Sequence, residues 1–288
     1  MPFDKKQLPF IFLHVPRTGG LAMSKIFFKL FKDKEMFLMY VDNPEGVSKD
    51  SVEKFIGLPQ LEKEKILYLG GHASFGLHRY YDQFTYFTMI RNPVKRIISV
   101  YGLALGEPEH YLHKMTISNQ WSLTDFVESK ISTEFDNGMV RMLSGIENVP
   151  FGKCTNEMYD RAIYNFDKYF PTFGITEKFY ESVCLLNLTY GLKIDKFKEK
   201  VNTSKVNLSE AQKTDEVIEL ITKYNEFDLK LYQYANEKFE KIKAKHTNFN
   251  QQLEELYISN ANYNEELKPT PLKASLSKIN KLVNGFFK

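Results

Sequence analysis

Ile11-Phe12-Leu13-His14-Val15 is an apolar run that breaks at Pro16-Arg17-Thr18-Gly19-Gly20 and resumes as Leu21-Ala22-Met23-Ser24-Lys25-Ile26-Phe27. The pattern predicts a buried strand, a tight loop and a helix. Pro16 lacks a donor and stops the strand, and the two glycines allow backbone conformations that gather several N–H groups on one side of the loop. The helix adds its unpaired N-terminal N–H groups and its dipole, worth about 0.3–1 kcal/mol for a charged group. Such a loop is an anion cradle, and phosphate is its natural guest.

Two familiar phosphate loops are excluded. The triphosphatase loop needs a Gly-Lys-Ser/Thr run, which does not follow this strand. The dinucleotide fingerprint needs three spaced glycines, whereas Gly19 and Gly20 are adjacent with no third. The stretch instead resembles the 5′-phosphosulfate loop of the sulfotransferases that use 3′-phosphoadenosine 5′-phosphosulfate (PAPS), whose strand ends His-hydrophobic-Pro-Lys-Thr-Gly-Gly.

Lys65 to Leu69 reads as a second buried strand, ending in Gly70-Gly71-His72-Ala73-Ser74-Phe75-Gly76-Leu77-His78-Arg79. Ligands of open α/β sheets bind at the carboxyl ends of strands, so His72 lies near Val15 if the two strands are parallel neighbours. Saccharide-modifying sulfotransferases, the heparan 2-O-sulfotransferases among them, show a similar Gly-His followed by Phe-Gly-Leu-His. That resemblance makes His72 the general base, with His78 second and Arg79 and Arg141 as substrate contacts. His14, inside the first strand, reads as a packed, hydrogen-bonded histidine.

Phe84 to Ile90 is an aromatic and β-branched run, followed by Arg91-Asn92-Pro93 and helical spacing from Val94 to Tyr101. An arginine fork at a strand end suits a dianionic phosphate, and a serine hydroxyl completes the shell. Arg91-Asn92-Pro93-Val94-Lys95-Arg96-Ile97-Ile98-Ser99-Val100-Tyr101 is similar to the family's 3′-phosphate signature, Arg-Asp-Pro-x-x-Arg-x-x-Ser-x-Tyr. The resemblance assigns that phosphate to Arg91 and Ser99, with Arg96 ranked below them because pairing with an acidic neighbour competes as its reading. Asp136 to Gly145 and Phe173 to Ser182 also resemble family segments, with Thr176 a candidate N-cap and Glu177 a dipole partner. Asn202 to Lys205 falls where the family has a polar loop near the nucleotide.

The 288 residues, 43% of them apolar, suit one large α/β domain. The resemblance implies a P-loop-like three-layer α/β/α fold on a central, mostly parallel sheet, over residues 1–247. Residues 248–271 read as a polar linker rich in Asn, Gln and Glu, broken at Pro269 and Pro271. Residues 272–288 place Leu272, Leu276, Ile279, Val283 and Phe286 at helical spacing among lysines. This basic amphipathic segment suits peripheral contact with an anionic membrane or docking on a protein surface. Met1 to Pro9 holds no long apolar stretch, and a cytoplasmic location, peripheral at the inner membrane surface, is the expectation. A net charge of +3 with scattered lysines argues against nucleic acid. Cys154 and Cys184 offer no disulfide framework or metal spacing and read as buried small hydrophobes. Oligomeric state is not legible.

By resemblance, the chain moves the sulfuryl group of PAPS to a hydroxyl of a saccharide or glycolipid in line, without a metal, and releases 3′-phosphoadenosine 5′-phosphate (PAP). His72 takes the hydroxyl proton, and Arg17 with the backbone of Pro16 to Leu21 stabilises the phosphate side. Two positions depart from the family. Arg17 replaces the loop lysine and cannot give up a proton, so it supplies charge alone. Leu21 and Ala22 replace the usual hydroxyl residues, leaving the loop to backbone donors and Ser24. These departures keep open a non-catalytic PAP-binding module. A kinase on a similar core would need a triphosphate loop and a magnesium site.

Overall fold

The computed structural model describes residues 4, 8–40, 49–198 and 213–266. Strand β1 (Phe10–Leu13) leads through the predicted loop into helix α1 (Gly20–Phe27), then β2 (Met36–Met39), α2 (Lys49–Gly57), α3 (Gln60–Lys63) and β3 (Tyr68–Gly71). Next come β4 (Thr85–Ile90), α4 (Pro93–Gly106), α5 (His113–Ser118), α6 (Leu123–Glu128), α7 (Gly138–Ser144) and α8 (Asn156–Tyr169). The described chain closes with β5 (Gly174–Ile175), α9 (Phe179–Tyr190), α10 (Asp215–Tyr224), α11 (Glu226–Lys243) and α12 (Phe249–Glu266).

The fold is α/β, with a five-stranded parallel sheet in the order β2-β3-β1-β4-β5. Leu13 is level with Gly71 on one side and Thr88 on the other. Every residue of β1, β3 and β4 is buried, as a sheet covered by helices on both faces requires. The chain leaves β1 toward β2 and leaves β4 toward β5, so the switch in direction falls between β1 and β4. Ligands bind such sheets outside the carboxyl ends of the strands at that point.

Strand β3 extends two residues beyond the expected end and takes in both glycines. A Cβ on Gly71 would lie 2.2 Å from the Met39 carbonyl oxygen, so the close approach of β2 requires glycine there. A second apolar cluster joins α4, α6 and α10 through Ile97, Val100, Phe126, Phe135, Val217 and Ile221.

The stretch expected to be a polar linker is instead helical from Phe249 to Glu266. It buries Phe249 and Leu256 against the body and packs on α9. Its amide side chains explain the polar composition. Asn260 accepts from Phe197 N at 2.7 Å and donates to the Tyr180 hydroxyl at 2.6 Å, and Asn264 donates to the Phe197 carbonyl. The segment 272–288 and the loop Asn202 to Lys205 lie outside the described residues. Among the described residues, no helix is long and apolar enough to cross a membrane. Cys184 is buried as expected, whereas Cys154 is only half-buried.

Candidate active site

The loop after β1 is built as the sequence implies, and its details come from neighbouring strands. Thr18 is fully buried and its hydroxyl donates to the Val15 carbonyl at 2.8 Å, closing the turn. Arg17 and Gly19 both take left-handed backbone conformations, at φ 66° and 81°. The Thr176 hydroxyl shares its one proton between the Thr18 carbonyl at 2.6 Å and the Ile90 carbonyl at 3.1 Å. It pins the loop to the end of β4 and is not the helix cap that its position implied. Pro16 is half-buried, and Leu21 is exposed at the start of α1.

Arg91, at the end of β4, reaches this loop. Its Nη1 donates to the Arg17 carbonyl at 2.8 Å, while its Nε is buried without a hydrogen-bond partner. Arg17 in turn crosses to α4, where its Nε and Nη2 donate to Ser99 Oγ at 3.0 and 2.8 Å. The sequence signatures assigned Arg17 to one phosphate and Ser99 to the other; the folded chain joins them. Burial first, and then the Arg91 charge, lowers the Arg17 pKa, and burial lowers that of Arg91 against the pull of Glu177. Both remain charged, because a guanidinium does not lose its proton in a protein. Two crowded cations whose hydrogen bonds go to a neutral hydroxyl and a carbonyl form an anion site, and the unpaired Arg91 Nε is a donor left for the guest. A phosphate fits these residues.

Glu177 accepts from the backbone N–H of Asn92 at 3.2 Å, capping the start of α4 instead of its own helix. Arg96 is fully buried, 3.7 Å from the Asp228 carboxylate and bonded to the Glu134 carbonyl, so of its two readings it takes the structural one.

His72 follows β3 directly and is held by its backbone N–H, which donates to the Met39 carbonyl at 2.8 Å. Its Nε2 is buried with no hydrogen-bond partner, and burial pushes its pKa down to about 4. The imidazole is therefore neutral at pH 7. His14, expected inside the first strand, instead follows β1 directly; it is buried and hydrogen-bonded as expected, with its ring centroid 4.8 Å from that of His72.

Other expected site residues lie elsewhere. His78 packs between Phe75, Phe84 and Tyr169, and its Nδ1 lies 3.4 Å from the Tyr86 hydroxyl. Tyr86 itself stands four residues before Ile90, about 13 Å back along β4 at about 3.3 Å per residue. Arg79, beside it, bonds the Gly76 carbonyl. Arg141 is committed to Asp136 and to the Val149 and Pro150 carbonyls. Ser24 turns its hydroxyl to Tyr40 at 2.7 Å and away from the loop donors.

Tyr40 and His110 escaped the sequence reading. Tyr40 follows β2 and reaches the loop only because β2 lies next to β3, a strand order that no local pattern carries. Burial, and then the nearby Arg17 charge, lowers His110 to about 4, which places a neutral imidazole on the α4–α5 turn beside the anion site.

Together these groups can bind an anion at the cradle, hold charge beside it, and offer a neutral imidazole as proton acceptor at the next strand end. No curated protein matches the chain. A search of solved structures gives the crystal structure of mouse sulfotransferase SULT7A1 complexed with PAP, at 12% identity and a TM-score of 0.35. That match covers 79% of this chain, and the chain spans 66% of the matched one. The model described as the sulfotransferase family matches residues 3–146, half of the 288, and the chain belongs to that family.

Proposed function

We propose that the chain transfers the sulfuryl group of PAPS to a hydroxyl of a saccharide or glycolipid acceptor, with His72 as general base. The observation that carries this reading is the convergence, at the ends of β1, β3 and β4, of an anion cradle, an arginine with an unpaired buried Nε, and a neutral unpartnered histidine. When bound, PAPS supplies an activated sulfuryl group on a good phosphate leaving group. The chain does the rest. The loop N–H groups and Arg17 hold the charge that develops on the phosphate side, in a site where fixed donors need no reorganisation. Arg91 and Ser99 anchor the remote phosphate and so align the reactive end. His72 accepts the hydroxyl proton, an effect worth roughly 10²–10⁴ in rate for a well-placed base. The saccharide acceptor and a cytoplasmic site of action rest on the motif resemblance.

Calorimetric binding of PAP, ADP and ATP without magnesium, joined to transfer from labelled PAPS, tests the reading. Tight PAP binding should fall at least about tenfold in Arg91→Ala. His72→Ala should keep PAP binding within about twofold yet lose most turnover, because the base acts on the acceptor. PAP binding without turnover in the wild type would identify a nucleotide-binding module, and preference for ATP would overturn the donor assignment.

A further inference from the structure

Three rings meet at the carboxyl ends of three adjacent strands: Tyr40 after β2, His72 after β3 and His14 after β1. Their centroids are 4.8 Å (His14 to His72), 5.2 Å (Tyr40 to His72) and 5.6 Å (His14 to Tyr40) apart. His14 is gripped along one edge. Its Nδ1 lies 3.2 Å from the Tyr40 hydroxyl, which lies 2.7 Å from Ser24 Oγ, and Phe12 stacks on the ring at 5.3 Å. The other edge rests on Gly20, where an added Cβ would stand 1.9 Å from both Cδ2 and Nε2. Among the described residues, Nε2 has no hydrogen-bond partner. This edge therefore abuts Gly20 of the cradle, the first residue of α1, and the His72 ring centroid lies 4.8 Å from that of the same imidazole.

We propose that His14 binds the transferring sulfuryl group, donating its Nε2–H to a sulfuryl oxygen, and that Tyr40 is the positioning residue that fixes this tautomer. The inference rests on the sulfuryl-transfer reading above. A sulfuryl group in transit lies between the phosphate it leaves and the hydroxyl it joins, and His14 is the buried polar side chain touching both places. Either oxygen of the Ser24–Tyr40 pair can donate, and in the proposed arrangement the chain runs from Ser24 to Tyr40 to Nδ1, an order that puts the single proton of a neutral imidazole on Nε2. Burial, with the neighbouring His72 and Arg17, holds His14 well below its ordinary pKa, so it is a one-proton donor at neutral pH. An N–H with no partner in the protein takes an anionic oxygen as its strongest acceptor.

The test compares PAPS with PAP, which lacks the sulfuryl group, by calorimetry without acceptor. His14→Leu should weaken PAPS binding roughly ten- to hundredfold and leave PAP within about twofold. His14→Gln, whose amide nitrogen takes the place of Nε2, should keep PAPS affinity within about fivefold, and Tyr40→Phe should weaken PAPS selectively but less than the leucine variant. Equal weakening of both nucleotides, or no change in either, overturns the inference. Should the leucine variant not fold, ¹⁵N-histidine spectra of the wild type decide. An Nε2-protonated His14 whose resonances move with PAPS and not with PAP supports the assignment, and equal movement with both removes it. A wild type that binds neither nucleotide overturns the sulfotransferase reading as well, which separates the two failures.

Discussion

Gly19 and Gly20 are adjacent, yet each is required for its own reason. At Gly19 an added Cβ would meet Thr176 Cγ2 at an ordinary 3.4 Å, so space is available and the backbone at φ +81° is what disfavours a side chain. Asparagine tolerates that region, and Gly19→Asn should lower stability by no more than about 1 kcal/mol. Gly20 has a helical backbone, and there the obstacle is the His14 ring 1.9 Å away. Gly20→Ala must push a buried histidine off its seat and should lower stability by about 1–3 kcal/mol. Urea unfolding of the two variants checks the order; an alanine variant as stable as wild type would mean that His14 moves freely. The cradle itself was legible because Pro, Gly and Gly act locally on their own backbone. The reason for Gly20 was not, since it depends on a side chain six residues earlier. Tyr40 gave no signal for the same kind of cause, since it meets Ser24, which the sequence had assigned to the loop, only once α1 packs beside the end of β2.

Between elements, the segment from Asp136 to Gly145, whose purpose the sequence left open, proves to be half of a reciprocal cap. The Asp228 carboxylate accepts from Met139 N and Val140 N at 3.0 and 2.8 Å, closing the start of α7. Asn137 Oδ1 returns the arrangement to α11 by accepting from Phe227 N and Asp228 N at 2.9 and 3.1 Å. Arg96, carrying Ser99 on the same helix, is tied to Asp228 and so couples α4 to both caps. Asp228→Ala leaves a buried guanidinium without its counter-charge and two helix N–H groups without acceptors, and should lower stability by about 3–5 kcal/mol. Asp228→Asn, which keeps an acceptor, should lose less. Thermal unfolding of the pair is the check, and equal losses would show that the charge matters more than the caps. Helix α11 was legible from its apolar spacing. Helix α12 was not, because composition registers Asn260 and Asn264 as linker residues when they are the groups that satisfy the backbone near Phe197.

Across the whole molecule, the parallel sheet sets the chemistry by bringing three chain segments, separated by up to about eighty residues, to one crevice at the β1/β4 switch. The same burial that shapes this crevice makes the protein sensitive to acid. His72 and His110 are held at about 4 and His14 well below its ordinary value, each primarily by burial, against 6.5 for an exposed imidazole. Between those limits the unfolded chain binds protons that the folded chain refuses. Stability is therefore complete above pH 6.5 and falls as the pH drops through the window, by up to about 1.4 kcal/mol per pH unit for each histidine. Asp228 and Glu134 have raised pKa values through burial and act with the opposite sign, so the histidine contribution is best read between pH 6.5 and 5. Urea unfolding over that interval should show a falling free energy, with a shallower slope in His14→Gln because one buried imidazole is gone. A flat curve in the wild type would mean that the protonated imidazoles find partners at the crevice, as two neighbouring rings beside two arginines should not.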